Sequence, residues 1–130
     1  MRKIKFRGRD FAGLWHIGDL IHNDDDLLIR NGCLSTYIEN ETAGQFTGLL
    51  DKNGKEIYEG DIVDAWSAGG HLPNGIIKWG EGIAGFFIMP PKCNAVWHLV
   101  GNDENKETLE VLGNIHDNPE LLKGGIYEGN

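Results

Sequence analysis

The chain has 130 residues, 40% of them hydrophobic, with 12 basic and 20 acidic side chains and a formal net charge of −8. That size suits one domain, or one domain with an appended subdomain, and buries enough surface to fold without a disulfide or a metal. The negative balance argues against a general phosphate-backbone binder, and the spread of apolar residues along the whole length argues against disorder.

The charge is uneven. Arg2, Lys3, Lys5, Arg7 and Arg9 fall in the first nine positions, leaving seven basic and 20 acidic residues, a charge of −13, in the rest. Over 3–7, Lys3, Lys5 and Arg7 alternate with Ile4 and Phe6. Period two predicts a strand with one basic and one apolar face. An apolar stretch at 14–21 ends at Asn23-Asp24-Asp25-Asp26. Runs at 27–30 and 33–38 flank Asn31-Gly32, the strongest short hairpin signal, because both central residues of such a turn need positive φ. Residues 40–44 read as a connection.

The stretch 45–63, QFTGLLDKNGKEIYEGDIV, has the densest turn chemistry. It reads as a strand at 46–50, a turn at Asp51-Lys52-Asn53-Gly54, extended structure at Ile57-Tyr58, and a corner at Glu59-Gly60-Asp61. Five strand-like runs follow at 61–66, 75–79, 84–89, 95–100 and 109–115, joined by glycine- and proline-rich turns. Their spacing is that of a small SH3-like barrel, about 57–116. Asn118, Pro119 and Glu120 form a helix start, and Gly124-Gly125 stops that helix after barely one turn. The expected fold is therefore mainly β: N-terminal hairpins (1–50) packed on an SH3-like barrel with a short C-terminal helix (51–122), then a tail (123–130).

Several motifs fail on their context. Gly80-Glu81-Gly82-Ile83-Ala84-Gly85 fits G-x-G-x-x-G, but a dinucleotide site must then open a helix, and Phe86-Phe87-Ile88-Met89 is strand text. Asp51-x-Asn53 begins like a calcium loop, yet Glu56 and Ile62 stand where a glycine and a bidentate glutamate belong. His16, His22, His71, His98 and His116 lack metal-ligand spacing, no serine sits in a nucleophile elbow, and Cys93 with His98 is a chance pairing. Glu56, Glu59, Asp61 and Asp64 lie at turns, where carboxylates are solvated or accept backbone N–H groups. Loop 67–74, with His71, is where a polar pocket would be sought. These residues imply no catalytic group, no metal and no cofactor.

The basic face of Lys3, Lys5, Arg7 and Arg9 is the candidate partner-binding feature. Its two readings are a nucleic-acid or acidic-partner contact, and a basic ribbon laid against the acidic body of the same or a neighbouring subunit; the net charge favours the second. Cys33 and Cys93 form no disulfide framework, no apolar signal segment opens the chain, and the longest apolar stretch, 86–89, is strand-sized. A cytoplasmic protein away from membranes is expected.

Three blocks of sequence resemble the YopX family of phage and prophage proteins. Met1-Arg2-Lys3-Ile4-Lys5-Phe6-Arg7-Gly8-Arg9-Asp10 is similar to its M-R-x-I-K-F-R-x-W-D opening, with Arg9 at the usual Trp position. Glu41-Thr42-Ala43-Gly44-Gln45-Phe46-Thr47-Gly48-Leu49 and 51–63 resemble its signature, and 109–122 resembles its E-V-I-G-N-I-x-x-N-P-E-L-L close. The resemblance implies a phage-encoded, mainly β protein of the bacterial cytoplasm with a barrel-like part and no catalytic residues to carry over. The expected function is a non-enzymatic protein–protein interaction or assembly module that self-associates, with a phage or host protein as a further partner. The alternative is a nucleic-acid-binding small β-barrel that stacks bases on Trp66, Trp79 or Trp97.

Overall fold

The computed structural model describes residues 3–67, 70–82, 84–89, 97–98 and 109–123. Among them the protein is mainly β, as expected. Its strands are β1 (Phe6–Arg9), β2 (Trp15–Asn23), β3 (Asp26–Asn31), β4 (Leu34–Ile38), β5 (Gly44–Leu50), β6 (Glu56–Tyr58), β7 (Asp61–Ser67), β8 (Gly70–Gly80), β9 (Gly85–Met89), β10 (Trp97–His98) and β11 (Leu109–Asn114). A 3-10 turn covers Asn40–Thr42, and a single helical turn, α1, covers Glu120–Lys123. The strands form a six-stranded sheet, β4-β3-β2-β1-β5-β6, and a five-stranded sheet, β10-β9-β8-β7-β11, and every recorded pairing is antiparallel. The chain divides into two compact units, Met1–Gly48 and Leu49–Asn130.

In the first unit, β1 to β4 form a meander. Asn31-Gly32 makes the expected β3–β4 turn, with Gly32 at φ +65°. Asp24 turns β2 into β3 at φ +56°, a region aspartate tolerates better than most residues. The register Asp19↔Arg30 to Asn23↔Asp26 holds β2 against β3 so closely that a Cβ on Gly18 would lie 2.8 Å from the Arg30 carbonyl carbon. The sheet coils enough for Ile38, at the end of β4, to bridge to Asp10, and the Glu39 N–H donates to the Arg9 carbonyl at 2.8 Å. Ile29 and Ile38 are almost fully buried beneath this coil.

In the second unit, Ile57, Val63, Ala65, Ile77, Ile88 and Leu109 make the core, with Leu49, Phe86 and Val111 packed around it. The expected SH3-like barrel is corrected here: the described residues form no closed barrel. β11 takes the outer edge of β7, β10 takes the outer edge of β9, and these end strands do not pair with each other among the described residues. Strand β8 begins at Gly70, so most of loop 67–74 is strand rather than connection. Its pairing with β7 shifts between Val63 and Ala65, which absorbs the irregular text. The G-x-G-x-x-G run is a hairpin turn, with Gly80 paired to Gly85. At the other end of the chain, β1 begins at Phe6 rather than Lys3, and Ile4 is exposed.

The helix start also differs in detail. The Asn118 side chain reaches back to accept from the Asn114 N–H at 3.3 Å and packs over Gly113. The Leu121 N–H donates to the Asn118 carbonyl instead. Asn74 Nδ2 donates to the Leu121 carbonyl at 2.9 Å, which occupies one of the acceptors a helix end leaves open.

Candidate functional site

Period two puts Lys5, Arg7 and Arg9 on one side of the N-terminal strand. Each of the three meets a group of its own unit. The Lys5 ammonium lies 5.0 Å from the Phe46 ring centroid, and the Arg7 guanidinium 4.9 Å from that of Trp15. Cation–π contacts of this kind contribute about 0.5–1 kcal/mol each at partly exposed sites. Arg9 donates from Nε (3.3 Å) and Nη2 (2.9 Å) to Glu39 Oε2, and its backbone N–H donates to Thr42 Oγ1 at 2.9 Å. Thr42 is buried and donates its hydroxyl to the Glu39 carbonyl at 2.6 Å. Arg9 thus ties β1 to the turn after β4. Lys3 is exposed and precedes the first strand. Within the first unit these cations thus meet two rings and the Glu39 carboxylate.

Next to it lies a pairing that spacing did not reveal. Asp10 Oδ2 is 2.7 Å from His16 Nε2, while Asp10 Oδ1 accepts from the Ala12 N–H (2.8 Å) and the Leu14 N–H (2.9 Å). The His16 hydrogen bond is the main reason the Asp10 carboxyl titrates below the ordinary aspartate value, with the Leu14 and Ala12 amides adding to it against an opposing effect of burial. Asp10 and Leu14 also exchange a backbone bond, and Gly13 turns the chain at φ +90°. The result is a β1–β2 turn fixed by five hydrogen bonds. It nonetheless leaves Phe11 75% and Leu14 63% exposed.

Asp51 and Asp61 of the 45–63 stretch serve the fold. Asp51 is 3% exposed and accepts three backbone N–H groups: Asn53 (2.8 Å) and Lys55 (2.9 Å) on Oδ1, and Val111 (2.9 Å) on Oδ2. Burial pushes its carboxyl up, but the amides of Val111, Lys55 and Asn53, with the Lys55 charge, outweigh that and hold it below the ordinary aspartate value. Lys52 reinforces the same junction through its N–H on the Leu109 carbonyl and an ammonium 3.5 Å from Glu110. Asp61, 1% exposed, accepts the Tyr58 N–H at 2.8 Å, and Gly60 makes the corner at φ +92°. Among the described residues no group of three or more His, Cys, Asp or Glu is placed to hold a metal ion.

Of the tryptophans named for stacking, Trp79 is 46% exposed and meets Phe86 edge to face at 5.0 Å. The side chains of Trp66, Trp97, His71 and His98 lie outside the described residues, as do Cys93 and the tail from 124 onward. Cys33 is an exposed free thiol in the β3–β4 turn.

Comparison with known proteins gives two results. The YopX protein family matches residues 12–123. The solved structure of protein EF1440 from Enterococcus faecalis is similar at 26% identity and a TM-score of 0.55, covering 94% of this chain and 99% of that one. No curated protein matches.

Proposed function

Because the chain belongs to the YopX family, we propose that it is a non-enzymatic accessory protein of phage or prophage origin that works in the bacterial cytoplasm through protein–protein contacts, self-association among them. One observation carries this reading. Phe11, Leu14 and Leu34 are 75%, 63% and 75% exposed on hydrogen-bonded turns and strands of the first unit. Holding bare apolar groups in fixed positions costs solvation and leaves surface that association would cover. Size-exclusion chromatography with light scattering tests it. A species larger than one chain is expected at micromolar concentration, and a monomer throughout that range would overturn self-association.

The alternative, a nucleic-acid-binding β-barrel, is disfavoured by the way Lys5, Arg7 and Arg9 are engaged on Phe46, Trp15 and Glu39, and by the net charge of −8. Fluorescence polarisation with labelled single-stranded DNA and RNA at low salt is expected to show no binding. Binding that weakens with salt and with Lys5→Ala plus Arg7→Ala would replace the present reading. Among the described residues no helix is long and apolar enough to cross a membrane.

A further inference from the structure

Asn-Gly occurs three times in the chain, at Asn31-Gly32, Asn53-Gly54 and Asn74-Gly75. The pair carries a slow chemistry of its own. The glycine backbone nitrogen, once it has given its proton to hydroxide, attacks the asparagine Cγ. A N–Cγ bond forms, the Cγ–Nδ2 bond breaks, and Nδ2 leaves as ammonia with a proton from water. Water then opens the succinimide at either carbonyl, giving aspartate or isoaspartate. Glycine favours the step because it has no Cβ to hinder the approach. The reaction needs a glycine N–H outside the hydrogen-bonded framework, and room for the ring to close.

The structure separates the three pairs on these grounds. Gly75 is buried in β8 opposite Val63, and a Cβ there would lie 2.6 Å from Ile88 Cγ2. Asn74 Nδ2 is held on the Leu121 carbonyl at 2.9 Å. Asn53 and Gly54 are exposed, but the Gly54 N–H donates to the Asp51 carbonyl at 3.0 Å. The Asn53 and Lys55 N–H groups on either side donate to Asp51 Oδ1, and Asn53 Nδ2 donates to Glu110 Oε2 at 3.3 Å. Taking the proton from Gly54 breaks the turn and sets an anion close to two carboxylates.

Asn31-Gly32 differs. Asn31 and Leu34 are the last pair of the β3–β4 ladder, so Gly32 and Cys33 are its two loop residues. Gly32, at φ +65°, takes the first central position of a type II′ turn. The ladder engages the backbone groups of Asn31 and Leu34, and the Gly32 N–H lies beyond it in the loop. Both residues are exposed, and nothing lies within 4 Å of a Cβ built on Gly32. The Asn31 side chain donates from Nδ2 to the Ile17 carbonyl at 3.1 Å, an exposed bond.

We propose that Asn31 is a spontaneous deamidation site, the first of the three asparagines to convert in the folded protein. Its product reverses a contact. An aspartate turns acceptor oxygens and a negative charge toward the Ile17 carbonyl, where the amide donated. The tie that continues the β2–β3 contact past the Asp19↔Arg30 pair is then lost. An isoaspartate also adds a methylene to the backbone beside a turn of two residues. The turn that carries Cys33 and the exposed Leu34 therefore changes with the age of the molecule.

The test incubates the full chain at mildly alkaline pH, folded and in urea, and follows each Asn-Gly pair by peptide mapping and mass spectrometry. The expected result is steady conversion at Asn31 in the folded protein while Asn53 and Asn74 stay intact, and similar conversion of all three in urea. Folded protein in which Asn53 or Asn74 converts as fast as Asn31, or in which Asn31 stays intact while the urea sample reacts, would overturn the site. Asn31→Asp, which carries the product's charge, is expected to melt below wild type. A melt equal to that of wild type would overturn the loss of the Ile17 tie.

Discussion

A Gly18→Ala variant is expected to lose about 3 kcal/mol of stability, which lowers Tm by roughly 10 °C in a chain of this size. The cause is local and backbone-made. The added methyl would fall against the Arg30 carbonyl oxygen and 2.8 Å from its carbon. A side chain could rotate away from such a contact, but a carbonyl held in the β2–β3 ladder cannot, so the strands must part where Asp19 pairs with Arg30. The same change at Gly82, where nothing lies within 4 Å of the added carbon and φ is not positive, is expected to matter little. Urea denaturation of the two variants side by side is decisive. Equal midpoints would mean that β2 and β3 do not approach so closely.

Asp51→Ala is expected to cost a similar amount, about 3 kcal/mol, because a hydrogen bond to a charged group contributes about 1.5–3 kcal/mol and a buried amide left without an acceptor carries its desolvation penalty. Three N–H groups lose their acceptor together, and one of them, from Val111, lies sixty residues along the chain. Asp51→Asn is expected to be nearly as damaging, since its NH2 group turns a donor toward a donor. The effect depends on acidity in a defined sense. The folded carboxyl titrates below the ordinary value, so its contribution is complete above the unfolded pKa of about 3.9 and is lost as the pH falls through the lower folded value. The gap between wild type and Asp51→Asn is therefore expected to be full at neutral pH and to narrow below about pH 4. A gap that stayed constant down to the acid limit would mean that the charge contributes nothing.

Much of the fold was legible because its signals are local. Asn31-Gly32 announces a turn from two residues, and Gly54, at φ +83°, completes the turn that Asp51 begins. Strand periodicity located β3, β5, β7 and β9 to within a residue or two. The text from Ser67 to Pro73 misled for a physical reason: glycine and proline are poor strand formers, and only the register shift between β7 and β8 reconciles them with a ladder. Barrel closure could not be read at all, because strand spacing gives the number of strands and not which edges meet.

The candidate surface was legible in part. Alternation singles out Lys5, Arg7 and Arg9, but nothing in spacing says that Arg9 will meet Glu39, thirty residues away, or that Asp10 will hold His16. Such pairs carry no period. Asp51 shows the converse. Its position at a turn was evident, whereas its grip on Val111 depends on where β11 settles.

That grip has a consequence for biosynthesis. A ribosome delivers β7 long before β11, since Ala65 pairs with Leu109. The first four strands pair with their sequence neighbours, and β1 also with β5, so this sheet can begin to assemble as it emerges. The outer edge of β7 must wait, with the Asp51 carboxylate holding two of its three amides. Val111 supplies the third, so arrival of β11 is what completes this edge of the second sheet.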